Sequence, residues 1–292
     1  MQKWAYWNGS LVKLGSSASS LTCPYKFRNA KFRGTRLINL GECKGYGRIN
    51  IHADGEYAFI RSCKNGHIEM ARWLIKLSES GSYSKINIHD NNEYAFRHSC
   101  NDGHIEMARW LIKLGESKGY DKINIHDYDE YAFRYSCGNG HIEIAQLLVK
   151  LGESENYSKI DIHDNNEYAF RYSCQNGHIK IAQWLIKLGE SENYSKINIH
   201  AKNECAFQYS CQYGHIEIAQ WLIKLGESEN YNEINIHAYN EYAFRYSCEN
   251  GHIKIAQWLI KLGESENYSK INIHADDECV HSNIVANMGI LK

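Results

Sequence analysis

The chain has 292 residues and a formal net charge of −1, with a sequence pI near 6.9. It therefore lacks the bulk basic charge that nucleic-acid-binding proteins usually carry. Its first residues contain no apolar run long enough for a signal peptide, and no stretch approaches the roughly 18–20 apolar residues of a membrane span. We expect a soluble intracellular protein in a reducing compartment, with neither nucleic acid nor a membrane as its partner.

The tetrapeptide Ile-Asn-Ile-His recurs along the chain with a period of 37 residues. It begins at Ile49, Ile86, Ile123, Ile197, Ile234 and Ile271, and Ile-Asp-Ile-His begins at Ile160. This period predicts six full repeats in residues 49–270. Residues 1–48 are predicted to form a degenerate N-terminal repeat or cap, and residues 271–292 a truncated seventh repeat or C-terminal cap. Within residues 1–48, the segment 11–15 is interpreted as the remnant of one more helix end.

The sequence of each repeat predicts two short helices, as residues 160–196 illustrate. Glu167 to Cys174 carries a stripe of small side chains at helical spacing, which favours close approach of the same helix in the next repeat. Gly177 is expected to break this helix with a positive φ. The second helix, from about His178 to Leu188, is apolar on most faces, with Gly189 as its predicted C-cap. Helices this short are not stable alone, so each repeat depends on its neighbours.

The segment from Tyr168 to Gly189 resembles the core of the ankyrin repeat, in which Gly-His precedes an apolar helix that closes with Gly. The resemblance implies an all-α, ankyrin-type helix-turn-helix solenoid with short finger loops. One departure is Tyr-Ala-Phe-Arg in place of Thr-Pro-Leu-His, which removes the hydroxyl and the imidazole that tie the ankyrin turn together. With its composition, the chain is most similar to divergent ankyrin repeat proteins of large DNA viruses of amoebae, which would place it in the host cytoplasm.

Cysteine and histidine recur once or twice in every repeat, and we call each set of positions related by the period a column. Equivalent positions in stacked repeats should lie roughly 8–10 Å apart, too far for shared zinc ligands or for disulfides. We therefore expect no metal and no cofactor, with the cysteines as small buried residues. The histidine of Gly-His is expected to be a turn residue. The histidine of Ile-Asn-Ile-His, the finger histidine, is either a surface contact or a hydrogen-bonding brace.

Two further columns have structural interpretations. The tryptophans, including Trp184 and Trp221, are expected to lie in the core, because Leu147 replaces Trp in one repeat. The column of lysines that includes Lys187 lies on the polar stripe of the second helix and is expected to be solvated. No nucleotide-binding, hydrolase or metalloprotease motif occurs, so we expect no enzyme and no catalytic residues.

Binding residues are predicted in the columns that differ most between repeats. In an ankyrin array these columns map to the finger tips and to the concave face of the inner helices, where the family usually binds protein. Arginine and tyrosine are also typical of protein-binding hot spots. The candidate residues are Arg61, Arg97, Arg134, Tyr135, Arg171, Tyr172, Tyr209, Arg245, Tyr246, Tyr128 and Tyr239. The same variation would also arise from neutral drift at exposed sites.

These observations predict a monomeric, non-enzymatic scaffold that binds a protein of unknown identity, a host protein if the chain is viral. One alternative is a host-directed adaptor of the ubiquitin system, although neither end of the chain has the length or pattern of an F-box. Another alternative is a decaying gene copy without a selected function, which the ragged C-terminus favours.

Overall fold

The computed structural model describes residues 3–7, 10–14 and 49–275, and the chain divides after Asp54 into two units. Residues 49–275 contain twelve helices and no strand, which confirms the all-α expectation for the repeats. The helices are α1 (Ala53–Lys64), α2 (Ile68–Ser78), α3 (Asp90–Asn101), α4 (Ile105–Gly115), α5 (Asp127–Gly138), α6 (Ile142–Gly152), α7 (Asp164–Gln175), α8 (Ile179–Gly189), α9 (Ala201–Gln212), α10 (Ile216–Gly226), α11 (Ala238–Glu249) and α12 (Ile253–Gly263). No helix among the described residues is long and apolar enough to cross a membrane.

A β-hairpin lies near the N-terminus. Strands β1 (Lys3–Trp7) and β2 (Ser10–Leu14) pair antiparallel, with Trp7 opposite Ser10. The interpretation of this segment as a remnant helix end is therefore wrong. Asn-Gly separates the two strands in the sequence, and this dipeptide is a strong hairpin signal that the repeat period obscured. Residues 15–48 and 276–292, where we predicted the degenerate repeat and most of the truncated one, lie outside the described residues.

The helices form antiparallel pairs, one pair per repeat, packed in a manner consistent with an ankyrin-repeat solenoid. Successive first helices, such as α5, α7 and α9, pack directly against one another. The small side chains predicted on this helix make the approach possible, because Ala169, Ser173 and Cys174 are all buried. The column cysteines of residues 63–248 are likewise buried free thiols, as predicted. Burial raises the pKa of Cys174 well above its usual range, so the thiol stays protonated.

The tryptophans lie at the junction between repeats and are only half-buried. The ring of Trp221 packs on Phe170 of the preceding repeat, with 6.3 Å between the ring centroids. Three other pairs repeat this contact: Phe59 with Trp110, Phe133 with Trp184 and Phe207 with Trp258. Lys187 and the rest of its column are exposed, as expected for a solvated stripe.

The two glycines of a repeat have different roles. Gly177 has φ +81, and a Cβ there would lie 2.7 Å from Cε1 of His215 in the next repeat, so both the turn and the packing require glycine. Gly189, by contrast, is the last helical residue, and Glu190 forms the C-cap with right-handed geometry. A Cβ at Gly189 would lie 2.8 Å from the Ser195 carbonyl oxygen. The prediction of a C-cap glycine was wrong, since this residue is kept small by the close approach of the following loop.

The first turn of each first helix has an unusual backbone. In α7, Asn165, Asn166 and Glu167 have φ of 53°, 55° and 60°, all in the left-handed region. Such residues cost about 1–2 kcal/mol each when they are not glycine. The side chain of Arg171 offsets part of this cost, because its Nε donates to the Asn166 carbonyl oxygen at 2.6 Å and its Nη2 donates to that of Asn165 at 3.0 Å. This clasp takes over the role of the missing Thr-Pro-Leu-His turn contacts.

A buried glutamate couples each repeat to the next. Oε1 of Glu167 accepts a hydrogen bond from His163 Nδ1 at 2.9 Å and another from the backbone N–H of Asn198, in the following finger, at 3.0 Å. Ser195 Oγ then donates to His163 Nε2 at 2.7 Å. The same bond, in which a backbone N–H of the following finger donates to the glutamate Oε1, recurs at 2.9–3.2 Å in the other repeats. The accepting residues are Glu56, Glu93, Glu130, Glu204 and Glu241. The finger histidine is therefore a hydrogen-bonding brace, which the sequence had left open.

We predict that Glu167→Ala lowers the free energy of unfolding by about 2 kcal/mol, because it leaves two part-buried donors, His163 Nδ1 and the Asn198 backbone N–H, without an acceptor. Urea denaturation followed by circular dichroism would measure the change. Glu192→Ala, which removes an exposed carboxylate from the loop after α8, is the matched control. Equal stability of the two variants would contradict the coupling role.

In the fourth repeat, the histidine of Gly-His, His178, is expected to make stability depend on pH. Burial, together with the neighbouring His141 and His215, lowers the pKa of His178, although a hydrogen bond to the Gly138 backbone opposes this. A lowered pKa in the folded state means that the contribution of His178 is complete above its unfolded pKa of about 6.5 and is lost as the pH falls.

We therefore predict that the stability difference between the wild type and His178→Gln shrinks as the pH falls from about 7 to 5. Urea midpoints at each pH would measure it. Between about pH 7 and 8 the difference should stay constant, because His178 is neutral in both states. A difference that grows toward low pH would contradict the assignment.

Candidate protein-binding face

The left-handed turns carry the most exposed tyrosines of the array. Tyr128 and Tyr239, both predicted binding residues, are 55% and 60% exposed. Each is the first of the three left-handed residues in its repeat, the position that Asn165 and Lys202 occupy elsewhere. Because the backbone turns away at this point, the side chain projects from the finger tip. We call these positions the tip residues.

The predicted arginines lie mostly below this surface. Arg97, Arg134 and Arg171 are only 6%, 7% and 5% exposed. Each clasps the left-handed turn of its own repeat, as described above for Arg171. Arg61 and Arg245, at the two ends of the array, are half-buried. The three buried arginines therefore offer little surface to a partner, whereas Tyr128 and Tyr239 are exposed.

Two of these buried arginines form ion pairs with an aspartate of the following repeat. Nε of Arg97 lies 3.6 Å from Asp127 Oδ2, and Nε of Arg134 lies 3.1 Å from Asp164 Oδ2. Tyrosine rings also cover these guanidinium groups: Cζ of Arg97 lies 4.3 Å from the ring centroid of Tyr128. This arrangement places the tip residue Tyr128 over the buried cation of the preceding repeat.

Beside the arginines, the first helices carry a row of packed aromatic rings in two segments, which we call the aromatic ladder. Its first segment contains Tyr94, His98, Tyr131, Tyr135, Tyr168 and Tyr172, with centroid distances between 3.9 and 5.6 Å. Its second segment contains Tyr209, Tyr213, Tyr242 and Tyr246. The predicted residues Tyr135, Tyr172, Tyr209 and Tyr246 all belong to it. Cys205, which takes the place of a ladder tyrosine, separates the two segments.

The surroundings of the ladder shift the pKa of two of its groups, Tyr242 and His98. Burial, with a smaller contribution from Tyr209, raises the pKa of Tyr242 to about 12. Burial and the positive charges of Lys64 and Arg97 lower the pKa of His98 to about 4. The Tyr242 hydroxyl therefore stays protonated and can donate a hydrogen bond to a partner, while the faces of the ladder rings offer apolar area.

Sequence reasoning missed two parts of this face. It named only the second tyrosine of each ladder pair, because Tyr94, Tyr131 and Tyr168 hardly vary between repeats and were taken as part of the helix pattern. The second part is the place of Cys205, which stands where the preceding repeats have a tyrosine. In the described part of the chain, no group of three or more histidine, cysteine, aspartate or glutamate side chains could hold a metal ion.

Comparison with known protein families identifies the array. The family model for ankyrin repeats, which spans three copies, matches residues 35–122, 118–196 and 190–272. A search of curated proteins finds no match. Ankyrin repeats are generally non-enzymatic scaffolds for protein–protein interaction. Because the matched segments cover most of the sequence, the chain belongs to the ankyrin repeat family.

Proposed function

We propose that this chain is a non-enzymatic scaffold that binds a protein partner through the tip residues and the aromatic ladder. The observation that carries the proposal is the exposure of Tyr128 and Tyr239 beside a row of half-buried rings. Tyrosine supplies a large amphipathic contact area at low entropic cost, and it is enriched in protein-binding hot spots.

The rigidity of the face supports the same conclusion. The left-handed turn of Tyr128 is clasped by the buried Arg134 and that of Tyr239 by the half-buried Arg245, and ring stacking orders the ladder. A surface that is ordered before binding loses less conformational entropy when a partner binds. The resemblance of the chain to viral ankyrin repeat proteins favours a host protein as the partner.

We predict that replacing both tip tyrosines, in Tyr128→Asn with Tyr239→Asn, abolishes capture of the partner. Asparagine stands at the equivalent positions 91 and 165 in the left-handed conformation, so the variant should fold normally. Proximity labelling in host cells, followed by pull-down with the purified full chain, would identify the proteins that bind. Affinity for a purified partner should fall by at least about tenfold, as expected for the loss of two hot-spot rings.

Gln183→Ser with Gln220→Ser is the matched control, because both glutamines are exposed on second helices. This control should retain every partner that the wild type captures. If the tip variant captures the same proteins as the wild type, or if no protein is reproducibly enriched, the proposal fails. The second of these results would favour a chain without a selected partner.

A further inference from the structure

One junction between repeats lacks two side chains that the preceding junctions have. Between the third and fourth repeats, Arg134 pairs with the carboxylate of Asp164, and the ring of Tyr168 lies 5.0 Å from Arg134 Cζ. Between the fourth and fifth repeats, the equivalent arginine is Arg171, but Ala201 replaces the aspartate and Cys205 replaces the tyrosine. A carboxylate and a ring are therefore missing from the same place.

The missing side chains leave a cavity of about 360 Å³ beside Cys205. Tyr172 and Tyr209, from the two segments of the aromatic ladder, form part of its lining, and the tip residue Tyr239 also lines it. The cavity thus lies within the proposed binding face.

The charge of the cavity is positive. Its two charged lining residues are Arg171 and Lys202, both cations. Arg171 is almost fully buried, and its Nη1 donates to the Cys205 sulfur at 3.6 Å, whereas Arg134 has the carboxylate of Asp164 beside its Nε. Among residues 49–275, Arg171 forms no ion pair, whereas Arg97 and Arg134 each form one. A buried cation without a counter-charge favours an anionic ligand.

We propose that this cavity binds an acidic side chain, glutamate or aspartate, that the protein partner presents next to an aromatic residue. The carboxylate would accept hydrogen bonds from Arg171 Nη1 and from Lys202 Nζ. The aromatic ring would take the place of the missing ladder tyrosine, between Tyr172 and Tyr209. The chain itself supplies the template, since Asp164 and Tyr168 provide the same two groups one repeat earlier. This inference rests on the proposed function and specifies the partner's chemistry.

The neighbouring junction shows why the charge matters. There the arginine column holds Gln208, and the aspartate column again holds alanine, at Ala238. Gln208 Nε2 still donates to the Asn203 carbonyl oxygen at 2.9 Å, so the neutral amide keeps the clasp. At this junction neither the arginine nor the aspartate is present. At the junction between the fourth and fifth repeats the aspartate is absent but Arg171 is present. A cation at this position is thus not needed for the clasp.

Two variants of the full chain test the inference. Ala201→Asp with Cys205→Tyr, the filled variant, supplies the carboxylate and the ring that the preceding junction has, and it should be at least as stable as the wild type. Arg171→Gln leaves the cavity open and follows Gln208, so it should retain the fold. Thermal unfolding would verify both statements before any binding is measured.

The probe is a short Gly/Ser peptide with a central Glu-Tyr pair, titrated by calorimetry or NMR. We expect binding to the wild type with a Kd on the order of 0.1–1 mM. The filled variant should show no binding, and Arg171→Gln should bind about tenfold more weakly. A Gln-Tyr peptide should also bind the wild type about tenfold more weakly. Absence of binding to the wild type in this range, or equal binding by the filled variant or by the Gln-Tyr peptide, would overturn the inference.

The cellular partner separates this inference from the proposed function. If the tip variant loses the partner while the filled variant keeps it, the scaffold function stands and the cavity is not the anchor. If both variants lose it, the cavity is part of the binding site. If the tip variant keeps the partner, the proposed function itself fails, whatever the peptide titration shows.

Discussion

A buried carboxylate joins each repeat to the following one, and the positions of the finger, the turn and the tip residue depend on it. In the fourth repeat, Glu167 holds its own finger through His163 and the next finger through the Asn198 amide. Glu167 is also the last of the three left-handed residues, so the same residue fixes the turn from which the tip residue projects. Because the Oε1 atom of this buried residue accepts hydrogen bonds from donors of two repeats, one repeat alone cannot supply both partners.

The sequence predicted the helix pairs and their dependence on neighbours because both follow from periodicity. Small residues such as Ala169 and Cys174 recur at helical spacing, and Gly177 marks the turn. The sequence could not predict the left-handed turn, since Asn165 and Asn166 are compatible with an ordinary helix start. It also could not distinguish a surface histidine from a brace, because the partners of His163 include Ser195, in the next loop.

The candidate site was harder to predict for a related reason. Variation between repeats indicated the tip residues correctly as exposed positions, but it grouped them with arginines that the turn encloses. Whether an arginine in that column has a counter-charge depends on the following repeat. That repeat supplies Asp164 beside Arg134 but Ala201 beside Arg171. The proposed function therefore depends on departures from the repeat, since identical repeats would place identical groups along the whole face.

Amide hydrogen exchange of the intact wild-type chain would test the coupling between repeats most directly. The finger residues Asn124, Asp161, Asn198 and Asn235 are exposed, yet each donates its backbone N–H to the glutamate of the preceding repeat. The account predicts that these amides exchange as slowly as those inside the first helices. Exchange as fast as that of the exposed loop residue Asn193 would show that the glutamates do not couple the repeats.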